Sequence, residues 1–171
     1  KSAKTIKDVA ALLGFKASTL SFILYKKDNI SKYKQFEIPK RYGGTRKICA
    51  PLPELKLLQR RLSDLLQNCV QEINEANGQK EQQLSHGFMR ERTIITNAKK
   101  HRNRRYVFNV DLADFFGSIN FGRVRGFFIK DKNFSLHVTV ATVLAQITCY
   151  ENALPQGSPC SPVVSNLIGH I

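Results

Sequence analysis

The chain has 171 residues, of which 42% are hydrophobic, and its 27 Lys and Arg against 13 Asp and Glu give a formal net charge of +14. This size allows one or two domains with a buried core. The charge excess predicts a polyanionic partner such as nucleic acid, and a basic surface kept for solubility is the alternative. No run reaches the roughly 18 apolar residues of a membrane span. The four cysteines lack metal-ligand spacing, so we expect reduced packing residues in a cytoplasmic protein.

The first 25 residues predict two short helices. Apolar residues recur at helical spacing in residues 6–13 and again in residues 20–24, and Gly14 separates the two runs. A helix-turn-helix repressor begins in the same way, so a DNA-binding interpretation stays open. We favour a small helical cap that supports the segment after it.

Residues 36–48 predict a β-hairpin followed by a long helix. Gly43 and Gly44 stand between two strand-like runs and supply the positive φ angles that a tight turn requires. Leucines at helical spacing in residues 54–73 then predict an amphipathic helix.

A strongly basic segment follows at residues 90–105, with Glu91 as its single acid. Its density of positive charge predicts contact with a phosphate backbone. The basic residues are Arg90, Arg92, Lys99, Lys100, Arg102, Arg104 and Arg105.

An apolar strand is predicted over residues 106–111 and ends in Asp111. Because side chains alternate along a strand, Asp111 shares the more polar face with Asn109. A carboxylate there, beside the carbonyl of Leu112, suits a hard divalent cation. Two-metal phosphoryl transfer needs further carboxylates from another strand. The alternative is that Asp111 caps a helix beginning near Asp114.

A helix is predicted over residues 136–149, and a Pro/Gly turn follows at residues 154–159. Gly157 lets the turn backbone approach a ligand closely. The Ser-Pro steps after it are typical of helix N-termini, so an ordinary helix entry is the alternative.

Four blocks in this order resemble the first half of a bacterial reverse transcriptase, most closely the retron type. They read IPK with GTRKI, SHGF, VFNVDLADFFGSI and ALPQGSPCSP. The blocks lie at residues 38–51, 85–88, 106–119 and 153–167. We call the third block motif A and residues 154–159 the LPQGSP turn.

The resemblance implies an α+β fold, with the fingers and palm of a right-hand polymerase. Short N-terminal helices would occupy residues 1–35, the fingers 36–105 and a partial palm 106–171. The thumb and the Tyr-x-Asp-Asp block, which brings the other metal ligands, are not in the sequence, so we expect a piece of a longer protein that is inactive alone.

The resemblance further implies RNA-directed DNA synthesis on a structured non-coding RNA, with deoxynucleoside triphosphates and Mg²⁺. It also implies a role in defence against phage, with an effector or toxin protein as a possible partner. A non-catalytic basic nucleic-acid-binding module, a group II intron-type maturase and a reverse-transcriptase relative that makes DNA without a template are the alternatives.

The resemblance assigns the metal to Asp111, which would bind the catalytic Mg²⁺ with the help of the Leu112 carbonyl. Asp114 would orient the site or cap a helix.

The resemblance assigns the incoming nucleotide to five residues. Phe116 would exclude a 2′-hydroxyl, with core packing as its alternative. Lys40 and Arg46 would bind the triphosphate. Gln156 and Gly157 would shape the nucleotide pocket.

Overall fold

The computed structural model describes residues 2–28, 31–41, 43–78 and 85–169. These residues form helices and one antiparallel pair of strands, in agreement with the predicted α+β class. In chain order the elements are α1 (Ile6–Leu12), α2 (Ala17–Ser21), a π-helix (Phe22–Lys26), β1 (Tyr33–Pro39), β2 (Thr45–Pro51), α3 (Pro53–Ala76), α4 (Ile94–His101), α5 (Phe121–Lys130), α6 (Val138–Thr148) and α7 (Ser161–Gly169).

The two predicted N-terminal helices are confirmed, and Gly14 separates them with φ +67°. Thr5 and Asp8 form a capping box that satisfies backbone N–H groups at the start of α1. At the other end, Arg61 Nη1 donates to the carbonyl oxygens of Leu13 and Gly14 at 2.9 and 2.7 Å. The Arg61 contacts therefore join the C-terminal end of α1 to α3.

No single helix in the described ranges is long and apolar enough to cross a membrane, although α1 and the α2–π-helix segment, bent by 109°, meet the length and composition criterion as a pair.

The predicted hairpin is confirmed and begins earlier than expected. Strand β1 pairs antiparallel with β2, from Tyr33 opposite Pro51 to Pro39 opposite Thr45. Gly43 and Gly44 have φ +93° and +78°. Tyr42, in the predicted turn, lies outside the described residues.

The predicted amphipathic helix is confirmed as α3. Its apolar face buries Leu55, Leu58, Leu62 and Leu66, and each buried leucine contributes about 1.5–3 kcal/mol. The helix contacts β2, α6 and α7, so one face supports both the hairpin and the C-terminal part of the chain.

Helices α5 and α6 form a packed pair, which confirms the helix predicted over residues 136–149. Phe128 is fully buried, and its ring meets those of Phe127 and Phe134 edge-on at centroid distances of 5.3 and 5.4 Å. Such edge-to-face contacts add to the burial of each ring.

The cysteines are free, which agrees with their prediction as packing residues. Cys49 and Cys160 are buried, and Cys69 and Cys149 are half-buried. Burial raises the pKa of the Cys160 thiol to about 12, so this thiol stays protonated.

The strand predicted over residues 106–111 is wrong for the chain as described. These residues form no regular element, and Tyr106 and Phe108 are 81% and 88% exposed. A strand requires a neighbour for its backbone N–H and C=O groups. Within the described ranges, the single sheet consists of β1 and β2, and residues 106–111 do not pair with it.

Candidate polymerase site

Asp111 lies at the end of residues 106–111, the exposed segment that forms no regular element. Within the described ranges its carboxylate makes no hydrogen bond and no ion pair. The neighbouring Leu112 is 60% exposed. The carboxylate and the Leu112 carbonyl therefore offer oxygen atoms without competition from protein donors.

The alternative role of Asp111 as a helix cap is wrong. Residues 113–118 form turns, and the next helix, α5, begins at Phe121. Its cap is Asn120, whose side-chain oxygen accepts from Arg123 N at 2.9 Å. Asp114 caps no helix either; its backbone has φ +44°.

The donor set at Asp111 consists of oxygen atoms, which Mg²⁺ prefers. It is incomplete, because the described residues contain no group of three or more His, Cys, Asp or Glu side chains able to hold a metal ion. Asp111 and Leu112 therefore fit part of a magnesium site.

Phe116 is half-buried against the hydrophobic core, and its ring centroid lies 5.8 Å from that of Phe115. Its backbone carbonyl accepts from Ile119 N at 3.1 Å. These contacts agree with core packing and leave part of the side chain exposed.

The LPQGSP turn docks on strand β2. Cys49 N donates to the Gln156 carbonyl at 2.7 Å. Gly157 has φ +114°, and a Cβ on it would lie 2.9 Å from Ile48 Cγ2 and 3.0 Å from the Cys49 oxygen. Glycine is required here by backbone angle and by space. The close approach that it permits is to the hairpin.

A buried network of hydrogen bonds joins the LPQGSP turn to the core of the fold. Ser158 Oγ donates to Gln59 Oε1 at 2.8 Å. Gln59 Nε2 donates to the Tyr33 hydroxyl at 2.9 Å and to the Ile147 carbonyl at 2.8 Å. The network joins the turn to β1, α3 and α6.

Backbone hydrogen bonds join the end of motif A to the start of the LPQGSP turn. Leu154 N donates to the Ile119 carbonyl at 3.1 Å, and Phe121 N donates to the Asn152 carbonyl at 3.1 Å. The two most specific blocks of the sequence therefore meet in space at their adjoining ends.

Lys40 and Arg46 lie in the hairpin, and both are exposed. Lys40 N donates to the Gly44 carbonyl at 3.0 Å, and Arg46 stands opposite Ile38. Within the described chain, no hydrogen bond or ion pair joins either side chain to Asp111.

The basic segment divides into two parts. Arg90 Nη1 donates to Asn68 Oδ1 at 2.7 Å, and Arg92 Nη1 donates to the Ser85 carbonyl at 3.0 Å, so these two guanidinium groups make protein contacts. The other five are exposed on α4 and after it: Lys99, Lys100, Arg102, Arg104 and Arg105.

The SHGF block is tied to α7 and to α4. Asn166 Nδ2 donates to Ser85 Oγ at 3.1 Å, and His86 Nδ1 lies 2.8 Å from Thr96 Oγ1. Desolvation and the positive charges of Arg92, Lys100 and His101 lower the pKa of His86. Neutral imidazole is therefore favoured here.

Sequence reasoning assigned no role to Gln59, which is hydrogen-bonded to the LPQGSP turn, or to Asn166, which is hydrogen-bonded to the SHGF block. One signal for Gln59 existed, because it is an uncharged polar residue on the leucine face of α3, between Leu58 and Leu62. A polar side chain on such a face is expected to be hydrogen-bonded.

Residues 38–170 match the family described as reverse transcriptase (RNA-dependent DNA polymerase). The retron Mx65 reverse transcriptase of Myxococcus xanthus is 32% identical, over 96% of this chain and 40% of its own length. The retron Ec86 reverse transcriptase of Escherichia coli is 30% identical, over 95% of this chain and 47% of its own length. The chain thus spans less than half the length of these relatives. The predicted resemblance is confirmed, and the chain belongs to the reverse transcriptase family.

Proposed function

We propose that the 171 residues form the fingers and first part of the palm of an RNA-directed DNA polymerase of the retron type. The observation that carries the proposal is the pairing of Ile119 with Leu154, which joins motif A to a turn fixed on the hairpin. A polymerase of this family needs a metal-binding carboxylate and a nucleotide pocket in one site. The predicted boundaries of cap, fingers and palm remain part of this proposal.

In the proposed site, Asp111 and the Leu112 carbonyl bind Mg²⁺. Support comes from the exposed Asp111 carboxylate, which has no protein partner among the described residues. When bound, the ions neutralise the phosphates and activate the 3′-hydroxyl for attack. The remaining ligands come from outside these 171 residues.

The nucleotide is bound by the hairpin and by the LPQGSP turn. Lys40 and Arg46 contribute positive charge toward the triphosphate, and both side chains are exposed for this contact. Gln156 and Gly157 line the pocket. Phe116 limits space at the sugar, with the half-buried ring held by the core.

The template RNA is bound by the exposed part of the basic segment, from Lys99 to Arg105. Fixed on α3 through Arg90, the segment presents its remaining charges outward. From the family resemblance we further propose a structured non-coding RNA as template, a role in phage defence and an effector or toxin protein as partner.

A non-catalytic nucleic-acid-binding module is the second candidate function. It is favoured by the five exposed basic residues, which suffice for binding without chemistry.

Primer extension on RNA by the full-length protein tests both candidates. We expect DNA synthesis that needs deoxynucleotides and Mg²⁺, and a loss on the order of 10³-fold in Asp111→Asn, equivalent to about 4 kcal/mol of lost transition-state stabilisation. Asp111→Asn should fold normally, because the carboxylate makes no described protein contact.

Asp131→Asn is the matched control. Asp131 Oδ1 accepts from the backbone N atoms of Asn133 and Phe134, which an asparagine oxygen can also do, so activity should stay near wild type. Full activity in Asp111→Asn would contradict the polymerase site. RNA binding without any DNA product would favour the non-catalytic module.

A further inference from the structure

We propose that Gln59 is a positioning residue for the nucleotide pocket and holds the LPQGSP turn through Ser158. The inference rests on the proposed function, because it takes the turn to contact the incoming nucleotide. Gln59 is fully buried on α3, and Ser158 lies 99 residues later in the chain. Burying a polar side chain on a leucine face costs free energy, because the group loses its hydrogen bonds to water, and the hydrogen bonds that it makes in the protein must offset this cost.

The three contacts of the Gln59 amide fix its orientation. Nε2 donates both its hydrogens, to the Tyr33 hydroxyl and the Ile147 carbonyl, at 2.9 and 2.8 Å. The Ile147 carbonyl can only accept, so the amide nitrogen must face it. Oε1 is thereby directed at Ser158, whose hydroxyl donates to it at 2.8 Å.

Ser158 transmits this orientation to the backbone of the turn. Its side chain is buried, and Cys160 N donates to Ser158 Oγ at 3.4 Å while Cys160 Sγ lies 3.2 Å from the same oxygen. Gln156 and Gly157 directly precede Ser158. Displacement of Ser158 therefore displaces the two residues proposed to line the pocket.

The turn has two kinds of support, and they act on different sides. Strand β2 holds it at the Gln156 carbonyl and at Gly157, through Cys49 and Ile48. Gln59 holds it toward the core shared by α3 and α6. The basic segment that is proposed to bind RNA contacts neither Gln59 nor Ser158 in any described hydrogen bond. Loss of Gln59 should therefore impair use of the nucleotide and spare the affinity for RNA.

Steady-state primer extension by the full-length protein, with variable deoxynucleotide, tests the proposal. Gln59→Met keeps the length of the side chain and removes its donors and acceptor. Of the three hydrogen bonds that are lost, only the one with Ser158 reaches the turn. For the loss of that bond we expect the KM for deoxynucleotide to rise about tenfold, with the Kd for the RNA template within about twofold of wild type.

Ser158→Ala removes the other partner with a smaller change, and it carries the test if Gln59→Met does not fold. It should raise the same KM. The double variant should be no worse than the more affected single variant, because both changes remove the same hydrogen bond.

Gln67→Met is the matched control on the same helix. Gln67 Nε2 makes a long contact of 3.4 Å with Ser63 Oγ, and its Oε1 is buried without a partner among the described residues. The control should leave KM unchanged.

A second readout does not depend on activity. Cys160 is fully buried beside Ser158, so a looser turn should increase its rate of labelling by a thiol reagent in the folded protein by about tenfold. Gln67→Met should label at the wild-type rate.

Equal KM values in Gln59→Met and Gln67→Met, or a parallel loss of nucleotide and RNA binding, would overturn the inference. Additive losses in the double variant would also overturn it. If the wild-type protein makes no DNA, the proposed function is wrong, and the nucleotide role of Gln59 is wrong with it. In that event, faster labelling of Cys160 would still support the structural part of the inference, that Gln59 holds the LPQGSP turn through Ser158.

Discussion

The LPQGSP turn and the Asp111 segment carry the two most specific motifs of the chain, and their surroundings are opposite. The turn is held by Gln59, Cys49 and the close approach of Gly157 to β2. The Asp111 segment is exposed and unpaired from Tyr106 to Leu112. Both motifs serve the same proposed site, yet the described chain supplies the packing for one of them.

This difference shows which parts of the proposed polymerase site a short chain can organise. A turn needs only a few contacts with a neighbouring surface, which the hairpin and α3 provide. A palm strand needs partners along its whole length, because each backbone group must be hydrogen-bonded. The described residues therefore organise the proposed nucleotide pocket, whereas the proposed metal-binding segment has no strand partner among them.

The contrast is tested most strongly by Gly157→Ala. Its φ of +114° and the 3.0 Å approach to the Cys49 oxygen combine strain with overlap, so we expect a loss of about 2–4 kcal/mol in unfolding free energy. Denaturant unfolding of the full-length protein measures it.

Gly43→Ala is the control for strain alone. Gly43 has φ +93° with nothing within 4 Å of an added Cβ, and we expect a loss of about 1 kcal/mol. Equal losses in both variants would mean that the turn is not tightly docked on β2.

The exposed Asp111 segment predicts that the chain self-associates. We expect the isolated 171-residue chain to aggregate as concentration rises, because the segment offers unpaired backbone and apolar side chains. Phe108→Lys should shift the onset of light scattering to about tenfold higher concentration. Phe88→Lys, at a residue 76% exposed outside the segment, is the control. A monomeric wild-type chain that melts cooperatively would contradict the prediction.

The basic segment gives a smaller effect, which separates Arg90, whose guanidinium group is hydrogen-bonded to α3, from the basic side chains after α4. In the double variant Arg104→Ala with Arg105→Ala, the slope of log affinity for single-stranded RNA against log salt should fall by up to about 1.4, which is about 0.7 per phosphate contact. Arg90→Ala should change this slope much less, because Arg90 already contacts Asn68 and Asp64. Fluorescence anisotropy at several salt concentrations measures both. A larger slope change in Arg90→Ala would reverse the assignment.

The smallest expected effect is the pH dependence at His86. Its pKa is lowered by desolvation and by Arg92, Lys100 and His101, so protonation favours the unfolded chain. The stabilising contribution is complete above the ordinary value of 6.5 and is lost as the pH falls below it.

Melting temperatures at pH values between about 7.5 and 5.5 measure this loss, and His86→Gln should reduce it. His137→Gln, at the start of α6, is the control variant. An unchanged pH profile in His86→Gln would rule out His86 as its source.

The elements that were predicted correctly from the sequence, such as α3 and the hairpin, are determined by residues that lie close together in the chain. Leucine spacing was sufficient for α3, and the pair Gly43 and Gly44 was sufficient for the hairpin, since each pattern encodes its own geometry. The strand over residues 106–111 could not be predicted in the same way. Its apolar sequence favours a β-strand, but whether a strand forms depends on a partner strand from a distant part of the sequence.

The candidate site follows the same rule. The family could be predicted from motif A and the LPQGSP turn, and the comparisons confirm it. The hydrogen bond between Gln59 and Ser158 could not, because it joins residues 99 positions apart. A glutamine among leucines indicates a buried polar contact without naming its partner.

The backbone bonds from Leu154 to Ile119 and from Phe121 to Asn152 close residues 121–152 into a loop whose two ends meet. Between these bonds the chain forms α5 and α6, so that the residues after α6 lie beside those before α5. A small label attached to the exposed side chain of Lys132, at the far end of this excursion, should leave the spacing of both motifs intact, because the buried ring of Phe134 stays in place. The closed loop thus offers a location for a fluorescent or affinity label on the full-length protein.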